Sequence, residues 1–174
     1  MHKKYIITGA PGTGKTSLIN ELNERGYLCY EEISRKIIKG QQKVNGNKTP
    51  WGDVSGFVDL VYTQTIKELT NPVEQNTFID RGLPDTIAYL NARSLSIPKY
   101  LSNFPFDTHY EPIIFLAPPW KEIYTNDPQR PQSFQEAKHI HKHLIEVYQN
   151  LSFCVKILPK VTLTKRVDFI RSII

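Results

Sequence analysis

Five short apolar runs alternate along the chain with segments of helical periodicity. The runs cover residues 4–8, Tyr27–Tyr30, Thr77–Asp80, Pro112–Leu116 and Phe153–Leu158. Their length and their enrichment in β-branched and aromatic residues predict strands. The fourth run is apolar throughout, which predicts a strand buried on both faces.

Between these runs, apolar residues recur at intervals of three and four, which predicts helices. Their starts and ends are also visible: Gly26 suits a left-handed helix end, Pro72 ends a long helix that starts near Val54, and Ser133 with Glu136 forms a capping box. We expect a loop over residues 40–53 and a turn-rich stretch over 94–109 with one short helix. The alternation predicts an α/β fold with a parallel sheet joined by right-handed crossovers.

Composition narrows the class of protein. The chain has 174 residues, 40% of them hydrophobic, which predicts one domain over residues 1–174. A strand so close to Met1 leaves no room for a signal peptide, and no apolar run is long enough for a membrane helix. We expect Cys29 and Cys154 to be buried, reduced thiols, and the compartment to be cytoplasmic.

The net charge is +5 and the sequence pI is about 9.1. A positive field would suit nucleic acid, but it also attracts polyphosphate anions. Because the basic residues are spread along the chain without a block of five, nucleic acid is the less favoured partner.

A glycine-rich loop after the first strand carries the strongest chemical signal. Its Gly9-x-x-x-x-Gly14-Lys15-Thr16 spacing, between a strand and a helix, is that of a P-loop. Backbone N–H groups of such a loop bind phosphate, Lys15 reaches the β- and γ-phosphates, and the Thr16 hydroxyl holds Mg²⁺. The predicted nucleotide-binding residues are Gly9, Ala10, Pro11, Gly12, Thr13, Gly14, Lys15, Thr16 and Ser17.

Acidic residues follow two other predicted strands. Glu32 comes after the second strand, and Asp80 ends the third in the form of a Walker B carboxylate that would hold Mg²⁺. Ligands of open parallel sheets bind beyond the carboxyl ends of the strands, so both face the P-loop crevice. We expect Glu32 to accept the proton of an attacking hydroxyl or to orient water, and Arg35 to hold an acceptor or to form a structural ion pair with Glu32.

Further candidates lie in less regular segments. Arg81 and Gln64 are candidate substrate contacts, and Trp51 is either a packing anchor or a ring that stacks on substrate. Residues 118–132 combine prolines and charge and predict a lid. There Arg130 is either an arginine finger that meets the γ-phosphate in cis or a solvated residue that pairs with Asp127.

Missing motifs restrict the nucleotide chemistry. Asn47-Lys48 lacks the following aspartate of a guanine-reading motif, which favours ATP over GTP. Asp80 is followed by Arg81 instead of the water-activating glutamate of ring-forming ATPases, and the chain is too short for their second domain.

The P-loop, Glu32-Ile33-Ser34-Arg35, Phe78-Ile79-Asp80, and Trp120 with Asp127-x-x-Arg130 together resemble a known family. It is the small AAA-like P-loop ATPase family that includes the nicotinamide riboside kinase domain of bifunctional NAD-biosynthesis regulators. The resemblance covers nearly the whole chain. It implies a nucleoside-kinase-like P-loop NTPase fold with a five-stranded parallel sheet in the order 2-3-1-4-5 and a lid. Asp80-Arg81 is also similar to the Asp-Arg pair of deoxynucleoside kinases.

The favoured hypothesis is in-line transfer of the γ-phosphoryl group of ATP, with Mg²⁺, to a nucleoside-like acceptor, with Lys15, Glu32 and Arg130 as catalytic residues. The alternatives are an ATPase with a signalling or partner role and a nucleotide sensor with little turnover. The residues indicate neither the acceptor nor the oligomeric state.

Overall fold

In the computed structural model, residues 3–124 and 133–174 are described; Asp127, Arg130 and most of the predicted lid lie outside them. The strands are β1 (Lys4–Gly9), β2 (Leu28–Tyr30), β3 (Thr77–Asp80), β4 (Ile113–Ala117) and β5 (Cys154–Ile157). The helices are α1 (Lys15–Glu24), α2 (Ile33–Lys43), α3 (Val54–Leu69), α4 (Leu83–Ala92), α5 (Lys99–Ser102), α6 (Phe106–His109), α7 (Phe134–Asn150) and α8 (Leu163–Arg171), with a 3₁₀ helix at Lys121–Ile123.

The five strands form one sheet, all parallel, in the order β2-β3-β1-β4-β5, so the predicted fold is confirmed. β1 lies in the centre, where Ile7 is in register with Asp80 of β3 and Gly9 with Ala117 of β4. The carboxyl ends of these strands therefore meet at one edge, which is where the P-loop begins.

Hydrophobic residues cover both faces of the sheet. Ile6 of β1 packs in a core with residues of α2, α3, α4 and α7, whereas Ile7 packs in a second core with α1 and α8. Successive side chains of a strand point to opposite faces, so adjacent isoleucines serve both cores. β4 is buried from Ile114 to Ala117, as its apolar run predicts.

Several local predictions are wrong. α2 continues through Gly40 to Lys43, where we expected a loop, because one helical glycine costs only about 1 kcal/mol and the residues after it favour helix. A second short helix, α6, follows α5. Trp51 is 59% exposed and is therefore not a buried packing anchor.

The expectation of two buried cysteines is also wrong. Cys154 is exposed because it opens β5 at the edge of the sheet, and Cys29 is half-buried. Burial raises the pKa of the Cys29 thiol to about 11, which keeps that thiol protonated. Across residues 3–124 and 133–174, no helix combines the length and the apolar character needed to cross a membrane.

Candidate active site

The P-loop conformation depends on glycine. A Cβ on Gly9 would lie 2.5 Å from the carbonyl oxygen of Ala117 on β4, so only glycine lets the two strands approach there. Gly14 has φ +80° and caps α1, a left-handed conformation that L side chains rarely adopt. The loop thus leads directly into the N-terminus of α1, whose first N–H groups lack intrahelical acceptors.

Lys15 is held against the loop by its own backbone. The side chain is 5% exposed, and Nζ donates to the carbonyl oxygen of Ala10 at 2.8 Å and to Oγ1 of Thr13 at 3.4 Å. Thr13 Oγ1 in turn donates to the same Ala10 oxygen at 2.9 Å. The ammonium is therefore placed within the glycine-rich loop, as phosphate binding requires.

A first cavity of about 520 Å³ opens above the P-loop. Its lining combines the loop, Glu32 and Arg35 with the turn before α8 and the segment after β4. The turn, the start of α8 and the segment after β4 contribute Trp120, Ile123, Val161, Thr162, Leu163 and Arg166. Polar loop groups together with aromatic and aliphatic side chains suit a ligand that has a polar and a less polar part.

A second cavity, of about 400 Å³, lies between the sheet edge and helices α2, α3, α4 and α7. Charged groups at its sheet end are Glu32, Asp80, Arg81 and Asp85. The remaining wall is mainly apolar and aromatic, with Ile33, Ile38, Phe57, Val61, Tyr89, Ile140 and Leu144 among its residues. Such a cavity suits a small organic molecule that presents a polar group to the sheet end.

The mouth of the second cavity is formed partly by the segment between α2 and α3. The hydroxyl of Tyr89 and Nη1 of Arg93 donate to the carbonyl oxygen of Pro50 at 2.8 and 2.7 Å. These two bonds attach the segment to α4 and place the exposed ring of Trp51 on the cavity wall. Trp51 is thus available to contact a bound molecule.

Glu32 lines both cavities. Its side chain is 6% exposed, with one carboxylate oxygen 3.1 Å from Nε of Arg81 and the other 4.0 Å from Nε of Arg35. The predicted pairing with Arg35 is therefore present but long, and Arg81 is the nearer cation. A buried carboxylate at the junction of two cavities can act on a molecule in either.

Arg81 is fixed by a second carboxylate. It has φ +70°, which is uncommon outside glycine, and its Nη1 donates to Oδ1 of Asp85 at 3.0 Å. Burial alone would lower the pKa of Arg81, but the charges of Glu32, Asp85 and Asp80 more than offset this and raise it. The guanidinium is therefore permanently charged.

Asp85 accepts from four donors. Besides Arg81 they are the hydroxyls of Thr8 and Tyr148 and the backbone N–H of Gly82 at 3.1 Å. Burial, followed by the charge of Asp85, raises the pKa of Tyr148 well above its usual value, so its hydroxyl remains a donor. Asp85 thereby links β1, α4 and α7 to Arg81.

The predicted site residues divide between the cavities. Thr16 and Arg35 line the first, Asp80 and Arg81 line the second, and exposed Gln64 belongs to the lining of neither within the described part of the chain. The sequence analysis missed Asp85 and Arg166. A carboxylate three residues after Gly82, in the first turn of α4, could have indicated a capping contact of Asp85, whereas nothing local connects Arg166 to the P-loop.

Comparison of the chain with known protein families identifies the family to which it belongs. A model of a family described as an AAA domain matches residues 4–166. The chain belongs to this AAA domain family. The family predicted from the P-loop and the motifs after it is therefore confirmed. No match is found among curated proteins.

Several solved structures share the fold of this chain. NadR in complex with NR superposes with a TM-score of 0.71 at 20% identity, over 98% of this chain and 51% of that chain. Deoxyadenosine kinase from M. mycoides with bound dATP has a TM-score of 0.62 at 14% identity over 98% of both chains. Shikimate kinase from Acinetobacter baumannii with shikimate has a TM-score of 0.58 at 16% identity, over 99% and 94%.

Proposed function

We propose that the protein transfers the γ-phosphoryl group of ATP to a hydroxyl group of a small, nucleoside-like molecule. The observation that carries this proposal is that Glu32 lines both cavities. A kinase must bring two ligands to one catalytic group, whereas an ATP sensor has no need of a second cavity beside the P-loop.

The first cavity takes the donor. N–H groups of the loop and the N-terminus of α1 bind the polyphosphate, and Lys15 neutralises charge at the transferring group. The absent guanine-reading motif favours ATP over GTP. The aromatic and aliphatic side chains of its lining, Trp120 among them, take the base.

The second cavity takes the acceptor. Its volume of about 400 Å³ and its mixed aromatic and aliphatic wall fit one ring system with a polar substituent. Arg81 and Glu32 lie at the sheet end, so an acceptor hydroxyl placed there lies next to the P-loop. Likeness in fold to NadR in complex with NR and to shikimate kinase in complex with shikimate supports an acceptor of this size.

Transfer then needs one proton acceptor. Glu32 takes the hydroxyl proton while the acceptor oxygen bonds to the γ-phosphorus and the bond from that phosphorus to the β,γ-bridging oxygen breaks, which releases ADP. Before this proton transfer, Arg81 stabilises the negative charge of Glu32 through the 3.1 Å contact between Nε and the carboxylate. Arg130 is proposed to add positive charge at the γ-phosphate from the lid segment.

Mg²⁺ fits the residues present. Thr16, which lines the first cavity, would supply a hydroxyl, and Asp80, which lines the second, would supply a carboxylate. Mg²⁺ prefers oxygen donors and usually takes few from protein. A bound Mg²⁺ would neutralise charge on the nucleotide phosphates. Within the described ranges, no group of three or more His, Cys, Asp and Glu side chains could hold a metal ion.

An acceptor panel tests this function. Nucleosides, vitamins and sugars are incubated with ATP and Mg²⁺, and mass spectrometry detects a product heavier by one phosphoryl group. We expect one compound class to be phosphorylated with an equal amount of ADP formed, and Lys15→Ala to abolish the reaction. ADP release at the same rate with and without every compound would contradict the kinase and support an ATPase.

A further inference from the structure

Arg166 is a buried cation that connects three parts of the nucleotide cavity. Its side chain is 1% exposed, and Nη1 donates to the carbonyl oxygen of Thr13 in the P-loop at 3.2 Å. Nε donates to the carbonyl oxygen of Pro159, after β5, at 2.9 Å. The guanidinium also lies 5.1 Å from the ring centroid of Trp120, which follows β4.

Within the described part of the chain, the charge of Arg166 is not balanced by a carboxylate. None of the ion pairs among residues 3–124 and 133–174 includes it, and within the same ranges its Nη2 has no hydrogen-bond partner. Burial lowers the pKa of this group, although an arginine stays protonated. A buried charge without a counter-ion is costly, so its retention beside a phosphate loop points to an anionic ligand.

The bond to Thr13 also fixes the direction of a neighbouring donor. Thr13 C=O and Gly14 N–H belong to one planar peptide unit, and in a trans peptide they point in opposite directions. Arg166 holds the carbonyl from the α8 side, so the N–H is directed away from α8. Gly14 lines the cavity next to Lys15, where a phosphate would lie.

We propose that Arg166 is a positioning residue of the P-loop, which orients the Gly14 N–H toward the polyphosphate and adds a positive charge behind the loop. The inference rests on the proposed nucleotide site and not on the identity of the acceptor. Arg166 contacts the P-loop through the carbonyl oxygen of Thr13, so the proposed role is at the phosphates. A residue that reads the base would instead change the affinity for adenosine.

Affinities for three ligands separate a role of Arg166 at the phosphates from a role at the base. Calorimetry compares ATP, inorganic tripolyphosphate and adenosine on the wild type, on Arg166→Met, which keeps the aliphatic stem, and on Arg171→Met, an exposed control in the same helix. We expect Arg166→Met to weaken ATP and tripolyphosphate binding by a similar factor, roughly tenfold or more, with adenosine affinity unchanged. The control should bind all three like the wild type.

Arg166→Lys provides a second variant in case the methionine variant does not fold. One ammonium cannot replace a fork that holds two carbonyl groups, so we expect tripolyphosphate affinity to fall at least threefold. We also expect tripolyphosphate to shift the NMR signal of the Gly14 amide less than in the wild type. An unchanged tripolyphosphate affinity in the variants, or an equal loss for adenosine and ATP, would overturn the proposal.

The test is independent of catalysis. Failure of the acceptor panel would leave these binding results interpretable, because tripolyphosphate binding needs no acceptor. Absence of ATP and tripolyphosphate binding in the wild type would instead contradict the nucleotide site itself.

Discussion

At the scale of single residues, Asp85 organises the charges of the site. Its two carboxylate oxygens accept from Thr8, Arg81, Gly82 and Tyr148, and it is 8% exposed. Arg81 contacts Glu32 at 3.1 Å on its other side. The position of the proposed base therefore depends on a residue that need not touch substrate.

Asp85→Asn should lower both stability and turnover. The amide loses one acceptor oxygen and brings an N–H₂ group to face existing donors, and such damage to a buried charged network costs about 3 kcal/mol. Chemical denaturation and acceptor-dependent ADP release measure the two effects. Asp168→Asn serves as the control, because that side chain is 58% exposed and lies 3.9 Å from its partner Arg25. Equal stability of the two variants would contradict the role of Asp85.

The sequence predicts a site residue when its role follows from motif spacing or from its position directly after a strand. Lys15 and Thr16 are predicted by spacing, and Glu32 by its place after a strand. The contacts of Asp85 with Arg81 and Gly82 are local, but its partners Thr8 and Tyr148 lie on other elements, as does Thr13, the partner of Arg166. The bond from Arg166 to Thr13 spans 153 residues. The prediction for Arg130 as a catalytic residue stays a prediction.

At the scale of elements, α2 shows that a glycine in the sequence does not always end a helix. Gly40 lies within the helix, and a Cβ there would meet no atom within 4 Å. Gly26, which follows α1, also has open space around it but has φ +90°. The two glycines therefore differ in backbone conformation and not in packing.

This difference predicts opposite effects of the same substitution. Gly40→Ala should stabilise the protein by about 0.5–1 kcal/mol, because alanine loses less entropy in a helix. Gly26→Ala should destabilise it, because alanine disfavours a left-handed backbone. Thermal unfolding of both variants checks this, with a rise of about 2 °C expected for Gly40→Ala in a domain of this size. A lower melting temperature for Gly40→Ala would contradict a helix through residue 40.

Most elements could be predicted because their periodicity is strong. The capping box at Ser133 is confirmed, with Glu136 Oε2 accepting from the Ser133 N–H at 2.6 Å. Thr162 stands at the N-cap position of α8 without a side-chain cap bond. A cap depends on rotamer as well as residue type, and sequence specifies only the type.

At the scale of the whole molecule, the proposed function depends on two cavities that share Glu32 at the carboxyl edge of one sheet. The strand order places β3 and β4 on either side of β1, so Asp80 and Ala117 flank the P-loop strand. Helices α2, α3, α4 and α7 then enclose the second cavity, the proposed acceptor site, while the segment before α8 lines the first, the proposed donor site. Sequence pattern alone predicted the crevice but not its division, because each cavity is lined by distant elements.

The central claim is that Glu32 accepts a proton during transfer between the cavities, and Glu32→Gln tests it most directly. Turnover with the identified acceptor and the dissociation constant for ATP are measured on one preparation, with Glu31→Gln, whose side chain is 79% exposed, as control. We expect turnover to fall at least 100-fold with ATP affinity within about threefold of the wild type, since general-base catalysis contributes roughly 10²–10⁴. Near-normal turnover in Glu32→Gln, or an equal loss in Glu31→Gln, would contradict the account.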